Sequence, residues 1–266
     1  MATYLDRIVA AHRAAAGGDE RAEAPLLAEA LASPPARPFA DALRGANSVA
    51  VIAEIKRRSP SRGDLAPDLV PADLAPVYQS GGAAALSVLT DGEFFAGSPD
   101  DLVEARRSCS LPVLRKDFTV DRRDILDARI MGADAVLVIV AVLDDDELRA
   151  FLELAGTVGL DALVEVHDER EVDRALDAGA TLVGVNQRDL STFAVDHDLA
   201  ARLANRLPAE TVKVAESGVA GARDARRLAG AGYDAVLVGE WLVTSAEPAA
   251  AVRSLAAAGA ARSLPA

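Results

Sequence analysis

Apolar residues gather in short, largely β-branched runs that recur along the chain: VAVIAEI (49–55), AALSVL (84–89), LPVLRK (111–116), DAVLVIV (134–140), ALVEV (162–166), TLVGVN (181–186), TVKVAE (211–216) and DAVLVG (234–239). Between them lie stretches of helical period, among them ADLAPVYQSGG, RRDILDARIMGA, DDELRAFLELAGTVG, DEREVDRALDAGA and ARDARRLAGAG. Many of these end in glycine followed by Ala, Leu or Tyr, the pattern of a helix C-cap leading into a strand. Runs that are apolar nearly throughout and alternate with helices predict an all-parallel sheet covered by helices. Eight such units close on themselves into a (β/α)8 TIM barrel. An open doubly wound sheet is the alternative; it would want a phosphate fingerprint after the first strand, and VIAEIKRRSPSRG is not GxGxxG.

One domain accounts for residues 1–266. A helical extension over 1–45 holds one or two helices (2–16 and 24–32), split by GGDE and ended by SPPARP. The barrel follows over 46–257, with a short tail over 258–266 that is expected to fray.

Barrel active sites lie at the C-terminal ends of the strands, so the polar residues where each run stops are the candidates. Strand 1 ends Glu54-Ile-Lys56, strand 3 Lys116-Asp-Phe118, strand 5 at Glu165, strand 6 Asn186-Gln-Arg188, strand 7 Glu216-Ser-Gly218 and strand 8 Gly239-Glu240. Parity sharpens this, because alternate strand residues face one way. Ile52, Glu54 and Lys56 share a face, as do Leu114, Lys116 and Phe118, and Val214 and Glu216. Six polar exits mixing both signs are hard to explain as solvated loop residues alone. Lys116 and Glu165 are the leading acid–base pair. The glycines after strands 7 and 8, each ahead of a helical segment, fit a phosphate held by backbone N–H groups.

Composition narrows the chemistry. Apolar residues make up 51% and charged ones 26%, a globular balance, and no apolar run is long enough to cross a bilayer. MATYLDRIVAAHRAAA mixes acid and base and is not a signal peptide. The net charge of −13 argues against nucleic acid as a partner. Cys109 is the only cysteine, which rules out an internal disulfide and suits a reducing cytoplasm; it is expected as a small buried side chain. Only three of the 28 cationic residues are lysines, Lys56, Lys116 and Lys213. Where arginine serves everywhere else, a retained lysine hints at a titratable ammonium.

Three features are set aside. Asp144-Asp145-Asp146-Glu147 opens a helix, where acids favour the positive end of the dipole. His12, His167 and His197 are scattered without ligand spacing, so no metal site is expected. Asp91 and Glu93 are expected to be solvated in the loop after strand 2.

At its strand exits the sequence resembles the indole-3-glycerol-phosphate synthase family. The matching stretches are AEIKRRSPSRG (53–63), LSVLTDGEFFAGS (86–98), LPVLRKDF (111–118), LVEVHDEREVDRALDAGATLVGVNQRDLSTFAVD (163–196), VAESGV (214–219) and AVLVGEWL (235–242). EIKRRSPS, LRKDF and GVNQRDL together are highly specific. The resemblance implies ring closure of 1-(o-carboxyphenylamino)-1-deoxyribulose 5-phosphate with loss of carbon dioxide and water, in tryptophan biosynthesis. It implies Lys116 as the general acid at the ketone and Glu165 as the base in dehydration. Lys56 would contact the anionic groups of the substrate and is the candidate second acid; which lysine acts at which step stays open. Glu54, Asn186, Glu216 and Ser217 would orient substrate and lysines, and Ser59 would touch substrate. Arg188 would favour the carboxylate, Phe95, Phe118 and Leu137 would wall the aromatic ring, and Gly218, Gly239 and Glu240 would meet the phosphate.

Decarboxylation restores aromaticity within the substrate, so no cofactor and no metal is called for. The partner is then a small phosphorylated molecule, with neither nucleic acid nor membrane, and the chain is expected as a monomer or weak homodimer. Gln187 and Arg62 are mild departures from the family pattern. Trp241 stands where a small residue usually follows the glycine turn and is expected to reshape the short helix under the phosphate. Rival readings are another phosphate-binding barrel enzyme, such as a phosphoribosylanthranilate isomerase, and a catalytically silent barrel. The isomerase would want a Cys/Asp pair, yet Cys109 precedes strand 3; a silent barrel should have lost Lys116, Glu165 or Lys56, and all three are present.

Overall fold

The computed structural model describes residues 3–44, 48–190 and 192–258. Eight parallel strands close a barrel: β1 (Ala50–Ile55), β2 (Ala85–Leu89), β3 (Val113–Lys116), β4 (Ala135–Ile139), β5 (Asp161–Val166), β6 (Leu182–Asn186), β7 (Val212–Glu216) and β8 (Ala235–Val238). Each pairs with the next in sequence, and β8 closes on β1 through Ala50 opposite Ala235 and Ile52 opposite Leu237. All eight expected strands are present within one or two residues of their predicted ends.

The two parities of each strand separate two cores. Ile52, Leu114, Leu137, Leu163, Val214 and Leu237 fill the interior. Val51, Ala53, Val136, Val164, Val183 and Val236 face outward under the helices. That double burial explains why the strands read as continuous apolar runs rather than alternating ones.

The N-terminal extension differs from expectation by one element. Helices α1 (Tyr4–Gly17) and α2 (Glu23–Ala32) are followed by α3 (Phe39–Arg44), which sequence periodicity did not reveal because it is little more than one turn long. Its Phe39 and Leu43 are fully enclosed and join the interior core beside Ala50, Ala85, Ala135 and Val212, the first inward residues of their strands. Helix α3 therefore plugs the bottom of the barrel, and Asp161 at the start of β5 accepts the Ala40 backbone N–H at 2.9 Å. Helix α1 lies at the opposite end. Arg13 on α1 reaches Glu147 at 2.7 Å and the Val120 carbonyl at 2.6 Å. The extension thus runs from the catalytic mouth to the base.

Asp144 caps the helix Asp145–Thr157 in a reciprocal capping box with Glu147, as its dipole predicts. Cys109 is half-buried against the outer core. Lys213 departs from the expectation for lysines: its ammonium donates to the Ala204 carbonyl at 3.2 Å and has no part in the barrel mouth. The expected fraying beyond Ala258 lies outside the described residues.

Candidate active site

The last inward position of a barrel strand delivers its side chain to the mouth. Glu54, Lys116, Glu165, Asn186 and Glu216 are these positions on β1, β3, β5, β6 and β7, and they meet. Lys116 Nζ donates to Glu165 Oε2 at 2.6 Å and to Glu216 Oε2 at 2.8 Å. Asn186 Nδ2 donates to Glu165 Oε1 at 3.0 Å, and Ser217 Oγ donates to Asn186 Oδ1 at 2.8 Å. Lys56 Nζ donates to Glu54 Oε1 at 2.5 Å, and Ser87 Oγ reaches Glu54 Oε2 at 3.4 Å. Two ammoniums therefore sit among three carboxylates.

Room for this cluster comes from glycine. A Cβ on Gly184, the inward residue below Asn186, would fall on Glu216 Oε1, and one on Gly239 would fall on Glu54 Oε1. The strand carrying Asn186 and the turn after β8 are thus shaped around carboxylates from their neighbours.

Burial opposes the charge on Lys116, but Glu165, Glu216 and Glu54 outweigh it, so the ammonium titrates above its ordinary range. Burial likewise opposes the charge on Glu165, and Lys116 with His167 more than offsets it, holding this carboxylate ionised well below its usual value. Burial pushes Glu216 the other way, helped by the neighbouring Glu165 charge and resisted by Lys116. Environments that separate two carboxyls in this way mark division of labour in acid–base sites.

Above the cluster opens a cavity of about 500 Å³. Phe95, Phe118 and Leu137 border it on one side, with the two aromatic rings 6.4 Å apart. Tyr4, Leu5 and Ile8 of α1 and Phe193 also line it, and sequence reasoning missed all four. Only the tertiary position of the extension reveals the first three, and only the path of the loop after β6 reveals Phe193. Arg188 stands in the wall, its backbone N–H on Asn186 Oδ1 at 3.0 Å and its guanidinium on the Phe193 carbonyl at 3.0 Å.

The opposite rim is built from Ser59, Arg62, Ser217, Gly218, Gly239 and Glu240. Ser217 (φ 65°) and Gly218 (φ 72°) are consecutive left-handed residues. A Cβ at Gly218 would also meet Val195 and His197, so the tight turn there needs glycine. Ser59 lies in a two-residue hairpin, Arg58–Ser59 with Gly63–Asp64, which sequence reading did not anticipate; its hydroxyl is buried with no hydrogen-bond partner. Glu240 opens a short helix, Glu240–Val243, and its carboxylate pairs with Arg62 at 3.1 Å. Trp241 does not disturb that helix: Leu242 and Val243 both donate to the Gly239 carbonyl, at 2.9 and 3.0 Å. Its indole borders the cavity and approaches Gly221.

Two expectations about polar residues need correction. Asp91 is buried rather than solvated: its Oδ1 accepts the backbone N–H groups of Phe94 (2.6 Å) and Phe95 (3.0 Å). Glu93 is exposed, as predicted. Two of the histidines, which lie in no common site, each meet a pair of carboxylates: His12 with Asp91 and Asp117, His167 with Glu165 and Glu171. His12 of α1 shares a hydrogen bond with Asp91 Oδ2 at 3.0 Å, lies 3.8 Å from Asp117, and packs its ring 5.4 Å from that of Phe118. Asp117 in turn accepts the Phe118 N–H at 2.8 Å. Ligand-type atoms of His12, Asp91 and Asp117 fall within 4.8 Å of one another, a juxtaposition that linear spacing cannot show. The same atoms already serve as a clamp on both aromatic walls. His167 lies against Glu165, and its shared parity with that residue was the available sequence signal.

The family model of indole-3-glycerol phosphate synthase matches residues 5–255. The chain is 56% identical to indole-3-glycerol phosphate synthase 2 of Streptomyces coelicolor, over 88% of this chain and 91% of that protein. It is 50% identical to the indole-3-glycerol phosphate synthase of Mycobacterium ulcerans, over 97% and 95%. Among solved structures, a thiamine phosphate pyrophosphorylase from Pyrococcus furiosus superposes with a TM-score of 0.58 at 16% identity, covering 80% of this chain and 95% of that one, a likeness of fold alone.

Proposed function

The chain belongs to the indole-3-glycerol phosphate synthase family, and we propose that it closes the indole ring with Lys116 as general acid and Glu165 as general base. The observation that carries this reading is the Lys116 ammonium held between Glu165 and Glu216 at the floor of an aromatic-walled cavity. The substrate is 1-(o-carboxyphenylamino)-1-deoxyribulose 5-phosphate. Its aromatic ring packs against Phe95, Phe118 and Leu137, its carboxylate faces Arg188, and its phosphate meets Ser59 and the backbone of Gly218, Gly239 and Glu240.

The ring carbon bearing the carboxylate attacks the ketone, and negative charge builds on the ketone oxygen. Lys116 stabilises that charge and gives it a proton, help worth about 10²–10⁴-fold in comparable steps. Loss of carbon dioxide returns the electron pair to the ring and restores aromaticity. The new hydroxyl then leaves as water with a proton from an ammonium, and Glu165 removes the proton that completes the pyrrole. Lys56, close to Glu54, is the second ammonium available for that step. Asn186 and Ser217 fix Glu165 by hydrogen bonds in series.

The partner on this reading is the phosphorylated small molecule alone. The net charge of −13 disfavours nucleic acid, and among the described residues no helix is long and apolar enough to cross a membrane. The lone cysteine fits a cytoplasmic enzyme. The test is fluorescence at the emission of the indole product while purified protein turns over the substrate. A signal at the level of buffer would end the proposal.

A further inference from the structure

His167 follows β5 at the parity of Glu165 and stands behind it, outside the residues that line the cavity. Its ring is wedged between two carboxylates. Nε2 lies 3.3 Å from Glu165 Oε1, and Nδ1 lies 3.1 Å from Glu171 Oε2 on the helix Glu169–Asp177. That same Glu171 oxygen accepts the His167 backbone N–H at 2.7 Å, which pins the residue from the helix side. The contact with Glu165 is an ion-pair approach, not an aligned hydrogen bond; the hydrogen bond to Oε1 comes from Asn186.

This geometry selects one protonation state. A neutral imidazole has one N–H and one lone pair, so either tautomer turns a lone pair toward a carboxylate oxygen. Only the imidazolium presents an N–H to both sides. Burial works against that charge, but Glu165 and Glu171 outweigh it and the ring titrates at about 10. Glu165 and Glu171 are the charged groups facing the ring, from β5 and from the helix Glu169–Asp177, and Lys116 lies beyond Glu165.

We infer that His167 is a positioning residue for the general base: clamped by Glu171, its imidazolium keeps Glu165 ionised and presents Oε2 to Lys116 and the cavity. The inference rests on the reading of Glu165 as the base. It adds that the ion pair in the cavity has a third charged member outside it. Removing the imidazolium leaves Glu165 with Lys116 as its one close cation and moves its titration toward neutral pH.

The experiment compares wild type, His167→Gln, Glu171→Gln and Glu165→Gln by kcat, KM and pH profile, with histidine ring ¹⁵N spectra of the wild type. His167→Gln should lower kcat about tenfold on the acid side of the limb set by Glu165 and leave KM within about twofold. It should also move the acid limb of kcat up by about one pH unit. Glu171→Gln leaves the ring in place and should move the limb in the same direction by less. The ¹⁵N signal absent from His167→Gln should report a doubly protonated ring at pH 8. A neutral ring at pH 7 overturns the inference. So does an inactive Glu165→Gln beside unchanged profiles in both other variants. A Glu165→Gln enzyme that keeps most of its turnover overturns the assignment of Glu165 itself.

Discussion

Lys116 Nζ lies 2.6 Å from Glu165 Oε2 in a barrel mouth where the lysine side chain is 14% exposed and the glutamate 2%. The same ammonium also pairs with Glu216, so Lys116→Met strands that buried carboxylate and leaves Glu165 with His167 alone. It should abolish ring closure while leaving substrate binding largely intact. It should also destabilise the fold by about 3–5 kcal/mol at pH 8, as breaking a buried pair does. With that cation gone, Glu216 has its folded pKa raised further above its unfolded one. A group raised in this way contributes stability at low pH and loses it as pH rises, so the deficit should shrink toward pH 5. Urea unfolding at the two pH values checks this, and equal deficits would contradict it.

How much of this site was legible in the sequence follows from the barrel's regularity. Strand ends, with parity along β1, β3 and β7, placed Glu54, Lys116, Glu165, Asn186 and Glu216 at the mouth, because a strand fixes the direction of every second side chain. Parity cannot say which strand ends touch, so the double pairing of Lys116 was not readable. Nor was anything that depends on the path of the extension. Tyr4 and Ile8 lining the cavity, His12 backing Phe118 and Phe39 plugging the base are long-range contacts made by helices whose sequence advertises only that they are helical. Asp91 looked like a loop carboxylate because its partners are two backbone N–H groups and the distant His12, which no residue pattern encodes.

Gly184 and Gly239 should tolerate no side chain. Neither has positive φ, so the obstacle is space: alanine at 184 collides with Glu216 and at 239 with Glu54, with Lys56 Nζ only 3.1 Å away. Gly184→Ala should displace Glu216 from Lys116 and cost about tenfold or more in kcat, with about 1–3 kcal/mol lost to overpacking. Gly239→Ala should act through the Glu54–Lys56 pair instead. Turnover within twofold of wild type in either variant would show that the carboxylate it displaces does not matter to the rate.

His12 ties the extension to both aromatic walls, and the tie should depend on pH. Burial disfavours its charge, but the Asp91 hydrogen bond and the Asp117 charge more than offset that, so its folded pKa is raised. Stabilisation by the imidazolium is therefore full below the unfolded value of about 6.5 and is lost as pH climbs through the folded one. His12→Ala should be less stable than wild type by about 1–2 kcal/mol at pH 5.5, with a smaller gap at pH 9. Since Asp91 also holds the Phe95 N–H, KM should rise more than kcat falls. Chemical denaturation and steady-state kinetics at both pH values are the measurements, and a gap that widens with pH would reverse the assignment.

Glu216 and Glu165 both accept from Lys116, yet they should respond differently to the same substitution. Burial, together with the charge of Glu165, pushes Glu216 up to about 7, while Lys116 and His167 keep Glu165 ionised. The proton that this crowded cluster shares at neutral pH therefore rests mainly on Glu216. Glutamine copies a protonated carboxyl in shape and charge, so Glu216→Gln resembles a state the enzyme already visits. Its kcat should stay within about tenfold of wild type, whereas Glu165→Gln, which deletes the base, should fall by about a hundredfold or more. The wild-type rate should carry an inflection near pH 7 that Glu216→Gln lacks. Paired pH–rate profiles decide it: if the two variants lose activity equally and the inflection survives in Glu216→Gln, the division of labour between the two carboxyls is wrong.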